Sequence, residues 1–194
     1  MRTGKEYQAS LQDGRDVWIV GEGRVVDVTS HHSTKNMVMQ YGTWYDRHYL
    51  PEWQDILMTE SGPDSNKNPL AFEIPKTSYD LQVQGRALRS ILSASGGNIT
   101  HTPGYGALIA LGLLNHITEL NNSREEIESA IKYRDYIANT GRFLTFAGGG
   151  SLIGSRLKTD PRERVALRLV RETQKGFVIS GKVQMHTSTP FAED

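Results

Sequence analysis

Two polar aromatic residues stand where an apolar helix is predicted to begin. His101 and Tyr105 fall within the segment from Gly96 to Tyr105, directly before a run of apolar residues. A helix start exposes unpaired backbone N–H groups and favours anionic ligands. The spacing therefore makes His101 and Tyr105 candidate site residues.

A glycine-rich run offers a second kind of chemistry. Residues Gly148 to Gly154 read Gly-Gly-Gly-Ser-Leu-Ile-Gly, and glycines let backbone N–H groups approach a phosphate closely. The spacing differs from the dinucleotide fingerprint, no Lys-Ser/Thr pair follows, and no β-α-β pattern surrounds the run. A flexible interdomain loop is the favoured interpretation, and a flavin-contacting loop is the alternative.

Metal and thiol chemistry is not predicted. The sequence has no cysteine, which excludes disulfides, thiolate zinc sites, iron–sulfur ligation and cysteine nucleophiles. The six histidines show no spacing typical of metal ligands, so we expect no metal site. His31 and His32 lie in a polar turn and are expected to be solvated, while His116, on an apolar helix, is expected to be a core residue.

Composition narrows the class of protein. The chain has 194 residues, with 22 basic and 22 acidic residues and a formal net charge of zero. A neutral chain without a basic block argues against nucleic acid or an anionic membrane as the main partner. The start shows no secretory signal, and the apolar stretch Ala107 to Ile117 is too short to span a bilayer. We therefore expect a cytoplasmic protein.

The helices that would position these residues have clear start signals. Capping boxes are predicted at Thr3 with Glu6, at Thr77 with Asp80, and at Ser123 with Glu126. The remaining expectations are a β-hairpin near 17–28, a helix from Lys35 to Trp53 limited by Pro51, a loop from Ser61 to Pro69, and an apolar helix from Tyr105 to Leu120.

The composition and the apolar–polar pattern of the sequence change after about residue 155. Residues 156–164 are charged and contain Pro161, and Val165 to Thr189 alternates apolar and polar residues as in a β meander. The fold class predicted is α+β, mainly α, with a helical domain over 1–155 and the start of a middle β-domain over 156–194 that is incomplete in this chain. A few strands with open edges should need a partner.

Several segments together carry a family resemblance. They are Arg2–Tyr7, Leu11–Arg15, Val26–His31, Phe72–Thr77 followed by Asp80-Leu81, His101–Tyr105, and Gly181–Asp194, which includes Thr187–Ala192. These segments resemble the oxygenase component of the 4-hydroxyphenylacetate 3-hydroxylase family, with its relatives among chlorophenol and pyoverdine-pathway hydroxylases. The resemblance spans nearly the whole chain and less than half of a usual family member.

The resemblance implies an acyl-CoA dehydrogenase-like fold with a helical N-terminal domain, a β-barrel-like middle domain and a C-terminal helix bundle. This chain would supply the first and the beginning of the second, and a second polypeptide would supply the rest of an oligomeric enzyme. The family binds reduced FAD made by a separate flavin reductase and hydroxylates a phenol with O2. Such an enzyme must shield the oxygenated flavin from water.

The resemblance also assigns residues. His101 and Tyr105 would face substrate and flavin, with His101 in place of the family's arginine, and Thr187 and Ser188 would lie near the isoalloxazine. The family's Thr-His-x-x-x-Asn-Pro-Gln stretch is replaced by Asn139 to Gly148. In that stretch Arg142 is the candidate for the missing histidine's role, and Thr145 and Gly148 are candidate cofactor contacts. The family's dehydratase branch needs cysteines from this region, so that branch is not expected.

The predicted function is a subunit or fragment of a reduced-FAD-dependent monooxygenase acting on a phenolic or related aromatic small molecule. One alternative is a non-catalytic structural or regulatory subunit, which the altered region around Arg142 favours. Another is a different flavin reaction on the same scaffold, such as dehydrogenation or N-oxidation. The predicted partners are the second polypeptide, the flavin reductase and the aromatic substrate.

Overall fold

The structure is a computed structural model that describes residues 1–60, 67–97, 102–119, 123–145, 167–174, 176–181 and 187–194, with backbone only at 60 and 118. It forms two compact units, one of residues 1–145 with 188–194 and one of residues 146–187. The described helices are α1 (Gly4–Ser10), α2 (Lys35–Arg47), α3 (Pro51–Leu57), α4 (Ser78–Ala94), α5 (Pro103–Glu119) and α6 (Arg124–Thr140).

All three predicted capping boxes are present. In each, the hydroxyl of Thr3, Thr77 or Ser123 accepts a hydrogen bond from the backbone N–H three residues on, and the acidic side chain there reaches back to the cap residue's N–H. Each box satisfies two donors that a helix start leaves unpaired. The sequence therefore fixes the starts of α1, α4 and α6.

The described strands pair as three antiparallel hairpins. They join β1 (Val17–Ile19) to β2 (Gly23–Val25), β3 (Met58–Glu60) to β4 (Lys67–Pro69), and β5 (Leu167–Thr173) to β6 (Gly176–Gly181). The first and last were predicted. The second was not, because Lys-Asn-Pro has little strand preference and the sequence predicts a loop there.

The predicted helix from Lys35 to Trp53 is two helices. Residue His48 ends α2, and Pro51 occupies the first position of α3, where its missing N–H costs nothing. Helix α1 crosses α2 so closely that a Cβ on Gly4 would lie 2.5 Å from the carbonyl oxygen of Gly42. These contacts place the aromatic face of α2 in the centre of the larger unit.

The core of the larger unit is rich in aromatic rings. Tyr7, Tyr45 and Phe143 are completely buried, and Tyr41 and Trp44 are nearly so. The ring of Tyr41 meets that of Phe143 edge-on at 4.8 Å between centroids, an arrangement that stabilises aromatic pairs. The other members of this cluster are Leu11, Val25, Val28, Val38, Leu57, Leu70, Ala87 and Ile91.

Residues 188–194, which we call the strap, pack onto this core. The hydroxyl of Tyr7 donates to the carbonyl of Phe191 at 3.0 Å, and Arg15 donates to the carbonyls of Pro190 and Ala192. The backbone N–H of Glu193 donates to the carbonyl of Phe143 at 2.8 Å. The strap therefore belongs to the larger unit, whereas the predicted domain boundary placed it in the β-domain.

The smaller unit is described at its hairpin. Every residue of β5 and β6 is exposed, including Leu169, Val170, Phe177 and Ile179. Both faces of the hairpin thus present apolar side chains, as expected for strands that pack against further chain.

Two expectations about α5 have different outcomes. Its predicted extent, Tyr105 to Leu120, agrees closely with Pro103–Glu119. His116, predicted to be a core residue, is exposed.

No helix among the described residues has the length and apolarity needed to cross a membrane.

Candidate active site

The start of α5 is packed tightly. Thr102 and Pro103 are buried, and Tyr105 is half-buried on the first turn. A Cβ on Gly104 would lie 2.9 Å from the Cβ of Ala71, and one on Gly106 would lie 2.3 Å from the Cβ of Leu144. Only glycine permits these approaches, so Tyr105 is held on a helix end with little freedom to shift. His101 lies outside the described residues.

The segment after α6 carries two more predicted residues. Gly141 ends α6 in the left-handed conformation at φ 62°, which glycine adopts without strain. The guanidinium of Arg142 forms an ion pair with the carboxylate of Asp194, and its pKa is raised chiefly by that hydrogen bond. The backbone N–H of Thr145 donates to the carbonyl of Asp194 at 2.8 Å. Arg142 and Thr145 therefore both hold the end of the strap.

Ser188 begins the strap in an unusual conformation. Its φ is 70°, and it is the one described residue other than glycine with a positive φ. Its hydroxyl is buried and lies 2.6 Å from that of Tyr41, with which it shares a hydrogen bond. Strained backbone of this kind persists where surrounding contacts fix it and is enriched at functional sites. Thr187, immediately before it, is exposed.

A buried ion pair secures the strap from the other side. The carboxylate of Glu193 contacts the guanidinium of Arg2, and both side chains are mostly buried. Burial raises the pKa of Glu193, but hydrogen bonds from Arg2 and from the Phe143 N–H outweigh it, so the pKa lies below its usual value. Arg2 also lies over the ring of Tyr45, 4.8 Å from its centroid, and donates to the Tyr45 hydroxyl. This network keeps the carboxylate ionised.

A small cavity lies beneath the start of α5. It encloses about 50 Å³, room for a few water molecules. The polar residues His48, Gln84 and Thr102 line it, together with Trp44 and Leu108. Burial lowers the pKa of His48 to about 4, and its Nδ1 lies 2.9 Å from the carbonyl oxygen of Trp44. His48 is thus a neutral imidazole that the sequence did not single out, because nothing in its spacing distinguishes it.

Four predicted residues therefore have described positions within the larger unit. Tyr105 lies on α5, and the residue after it, Gly106, packs against Leu144. Arg142 and Thr145 both bind Asp194. Ser188 occupies the opposite end of the strap, on Tyr41. Gly148, like His101, lies outside the described residues, and Thr187 belongs to the smaller unit.

The buried tyrosine hydroxyls around the strap act as neutral hydrogen-bonding groups and not as charged phenolates. Burial raises the pKa of Tyr41 above its usual value, and it does the same for Tyr7 and Tyr45. These phenols therefore stay protonated at neutral pH and act as hydrogen-bond donors. On the strap, the Ser188 hydroxyl is the partner of Tyr41, and the carbonyls of Pro190, Phe191 and Ala192 accept hydrogen bonds from Arg15 and Tyr7.

Comparison with known proteins gives the family of the chain. Residues 3–194 match the family model described as 4-hydroxyphenylacetate 3-hydroxylase N terminal. The chain is 32% identical over 189 residues to the 4-hydroxyphenylacetate 3-monooxygenase oxygenase component of Escherichia coli, a match covering 96% of this chain and 35% of that protein. It is 24% identical over 204 residues to the 2,4,6-trichlorophenol monooxygenase of Cupriavidus pinatubonensis, covering 38% of it.

Solved structures share the fold. The oxygenase component of a 4-hydroxyphenylacetate 3-monooxygenase, solved in complex with FAD, superposes with a TM-score of 0.82 at 23% identity, covering 99% of this chain and 40% of that one. An archaeal 4-hydroxybutyryl-CoA dehydratase superposes with a TM-score of 0.77 at 17% identity. This match covers 98% of this chain and 38% of the dehydratase chain. The predicted acyl-CoA dehydrogenase-like, mainly helical fold is confirmed.

The chain spans about a third of the length of the curated relatives it matches, 35% in the first case and 38% in the second. The matched region nevertheless covers nearly every residue of this chain, from the α1 capping box to the strap. The chain belongs to the 4-hydroxyphenylacetate 3-hydroxylase N-terminal family, as its motifs predicted.

Proposed function

We propose that this chain is part of the oxygenase component of a two-component monooxygenase that uses reduced FAD to hydroxylate a phenolic or related aromatic small molecule. The observation that carries the proposal is the family match over residues 3–194, with relatives named as monooxygenases of 4-hydroxyphenylacetate and 2,4,6-trichlorophenol. In the proposed enzyme, a second polypeptide supplies the rest of the middle domain and the C-terminal helix bundle. A separate flavin reductase supplies reduced FAD, and the assembly is a cytoplasmic oligomer.

The strap and the residues near it suit a flavin. Ser188 is fixed by Tyr41 in a left-handed conformation, while Thr187 beside it is exposed. A rigid turn that presents a hydroxyl and backbone groups is the kind of surface that hydrogen-bonds the polar edge of an isoalloxazine. Ser188 would fix the turn, Thr187 would contact the ring, and Thr145 and Gly148 would contact other parts of the cofactor. Bound reduced FAD would supply the activated oxygen.

The start of α5 is the proposed substrate side. His101 and Tyr105 would face the phenol, where a hydrogen-bonding or cationic group favours the phenolate and so makes the ring a better nucleophile. Packing of Gly104 against Ala71 and of Gly106 against Leu144 holds the helix end in place. Such fixed positioning is what an enzyme needs to keep two reacting groups in register.

Arg142 has a narrower role in this proposal. Its guanidinium is paired with Asp194, so it anchors the strap and thereby the turn at Ser188. A direct catalytic role for Arg142 in place of the family's histidine stays a prediction. The two roles differ experimentally, since an anchor can be replaced by lysine with partial retention of activity and of FAD affinity.

The test starts from the natively expressed complex. Native mass spectrometry should show this chain with a second polypeptide and FAD, and the complex given chemically reduced FAD should consume O2 and hydroxylate 4-hydroxyphenylacetate or another phenol. Tyr105→Phe should lower the turnover by about a hundredfold. Tyr133→Phe, at an exposed tyrosine of α6, is the matched control and should leave turnover unchanged.

Each other outcome is informative. A complex that holds no FAD and consumes no O2 would reject the proposal in favour of a structural subunit. Oxygen consumption without any hydroxylated product, across a panel of phenols, would favour a different flavin reaction. Equal activity of the Tyr105→Phe and Tyr133→Phe variants would remove Tyr105 from the site.

A further inference from the structure

Two histidines and a glutamate meet at one point on the surface of the larger unit. Glu22 lies in the turn between β1 and β2, and His31 and His32 lie in the turn before α2. Nε2 of His32 is 3.3 Å and Nε2 of His31 is 3.6 Å from the same oxygen, Oε2 of Glu22. One donor atom from each of the three residues lies within 4.8 Å of the other two.

Ordinary hydrogen bonding explains these contacts poorly. N–H···O hydrogen bonds usually measure about 2.7–3.2 Å, and both nitrogen–oxygen distances are longer. A tetrahedral ion with bonds of about 2.0–2.2 Å to nitrogen and oxygen holds its ligand atoms about 3.3–3.5 Å apart. The two nitrogen–oxygen separations are close to the edges of such a tetrahedron.

Neighbouring groups already orient the carboxylate. The hydroxyl of Ser33 lies 2.9 Å from both carboxylate oxygens of Glu22 and donates to them. Hydrogen bonds of this kind fix the ligands of metal sites in the orientation that binding needs. The two imidazole rings lie 4.4 Å apart between centroids and are tilted by 33°, and the Nε2 atom of each lies near Oε2 of Glu22.

One contact must change on metal binding. The backbone N–H of Ser33 points at Nδ1 of His31 at 3.3 Å, which places the ring proton on Nε2. Binding through Nε2 moves that proton to Nδ1 and breaks this hydrogen bond. The bond is long, and Ser33 is exposed, so water can replace it at small cost.

We propose that Glu22, His31 and His32 bind one divalent transition-metal ion, with Zn²⁺ as the expected occupant. Two imidazoles and one carboxylate suit zinc and copper rather than Mg²⁺ or Ca²⁺, which prefer oxygen ligands alone. The fourth position is open to water, because His32 is 74% exposed. The ion joins the β1–β2 turn to the start of α2 and so stabilises this part of the fold. The proposal is independent of the flavin chemistry.

The experiment is a calorimetric titration of the 194-residue chain with Zn²⁺ after removal of any histidine tag. We expect one ion per chain, and a rise in melting temperature with added Zn²⁺, because an ion that binds only the folded state stabilises it. Glu22→Gln and His32→Gln should each weaken binding by at least about tenfold. His116→Gln, at an exposed histidine of α5, is the matched control and should bind as the wild type does.

Circular dichroism confirms that the variants keep their fold, and Co²⁺ in place of Zn²⁺ gives a second readout. Four-coordinate Co²⁺ should show strong visible absorption in the wild type and in His116→Gln, and not in Glu22→Gln. Absence of one-to-one binding by the wild type would overturn the proposal. So would equal affinity in Glu22→Gln, His32→Gln and wild type, which would mean that the ion binds elsewhere.

Discussion

Apolar side chains are buried around the strap but exposed in the β5–β6 hairpin. Around the strap, Tyr7, Tyr41 and Phe143 are buried against groups that this chain itself supplies. In the hairpin, Phe177 is 71% exposed and Ile179 60% exposed, and every described neighbour on both strands is exposed too. The first region is stable through its own contacts, whereas the second has an apolar surface that gains stability only when something covers it.

Truncating one phenylalanine in each region gives the largest expected contrast. Phe143→Ala removes a ring that is fully buried in the aromatic cluster, and should lower the free energy of unfolding by about 3–5 kcal/mol. Phe177→Ala removes an exposed ring and should change it by less than about 0.5 kcal/mol. Urea unfolding followed by tryptophan fluorescence measures both.

Phe177→Ala should instead weaken association with the proposed second polypeptide, measured by co-purification or by titration. A large loss of stability in the isolated Phe177→Ala chain would show that the hairpin is covered from within. The contrast between the two regions would then fail.

The sequence predicts the local elements of the larger unit better than it predicts the strap. Capping boxes, the β1–β2 hairpin and α5 are signalled by neighbouring residues, and the structure contains all of them. The strap is held by contacts between residues far apart in the chain, such as Arg2 with Glu193 and Tyr41 with Ser188. Pairings of this kind leave no periodicity in the sequence.

The candidate site shows the same limit. The family resemblance made Tyr105 and Ser188 candidates, and the departure from the family's stretch made Arg142 one. It did not show that Arg142 is paired with Asp194 or that the Ser188 hydroxyl is bonded to Tyr41. The exposure of His116 was also hidden, because α5 is apolar on nearly all sides and its sequence does not show which side faces the core. The burial of His48, at the end of α2, was hidden because nothing in its spacing marks it. Glu22 lies near His31 and His32 through the fold of the β1–β2 turn, so the spacing of the histidines in the sequence does not show this cluster.

His48 should make the larger unit sensitive to acid. Burial lowers its pKa from 6.5 to about 4 in the folded chain, so the unfolded chain binds more protons between those values. Stability therefore rises with pH in this window and is lost as pH falls from about 6.5 to about 4, by on the order of 3 kcal/mol. Urea unfolding at a series of pH values measures the slope.

A His48→Gln variant supplies the control for that slope. Glutamine keeps a donor for the Trp44 carbonyl but does not titrate. Between pH 4 and 6.5, the free energy of unfolding of the variant should therefore depend less steeply on pH, by the slope that binding of about one proton produces. An unchanged slope in His48→Gln would assign the acid sensitivity to another group.

Breaking the buried ion pair of Arg2 and Glu193 should lower the free energy of unfolding somewhat less than acid does through His48. Glu193→Gln keeps one oxygen for Arg2 but removes the charge, and should lower the free energy of unfolding by about 1.5–3 kcal/mol. The folded pKa of Glu193 is depressed, so its contribution is present above the ordinary glutamate pKa and is lost as pH falls through the folded value. The variant should lack this part of the acid dependence.

The matched control is the exposed pair of Arg124 and Glu128 on α6. Glu128→Gln should change stability by about 0.5 kcal/mol or less, because exposed pairs one helical turn apart contribute little. Similar losses in Glu193→Gln and Glu128→Gln would mean that the strap is not held by the buried charge.

Two glycines on α5 give the smallest and most local comparison. A Cβ at Gly106 would lie 2.3 Å from the Cβ of Leu144 and 2.4 Å from its carbonyl oxygen, whereas a Cβ at Gly112 meets nothing within 4 Å. Gly106→Ala should therefore lower the free energy of unfolding by about 1–3 kcal/mol through overpacking. Gly112→Ala should raise it by about 0.5–1 kcal/mol, because alanine loses less backbone entropy in a helix.

The opposite signs make this pair decisive about the packing of α5. Thermal unfolding of both variants separates the close approach at Leu144 from the general preference of helices for alanine, since that preference acts equally at both positions. If Gly106→Ala were as stable as Gly112→Ala, the start of α5 would have room to move away from Leu144. Tyr105 would then lack the fixed position that the proposed chemistry requires.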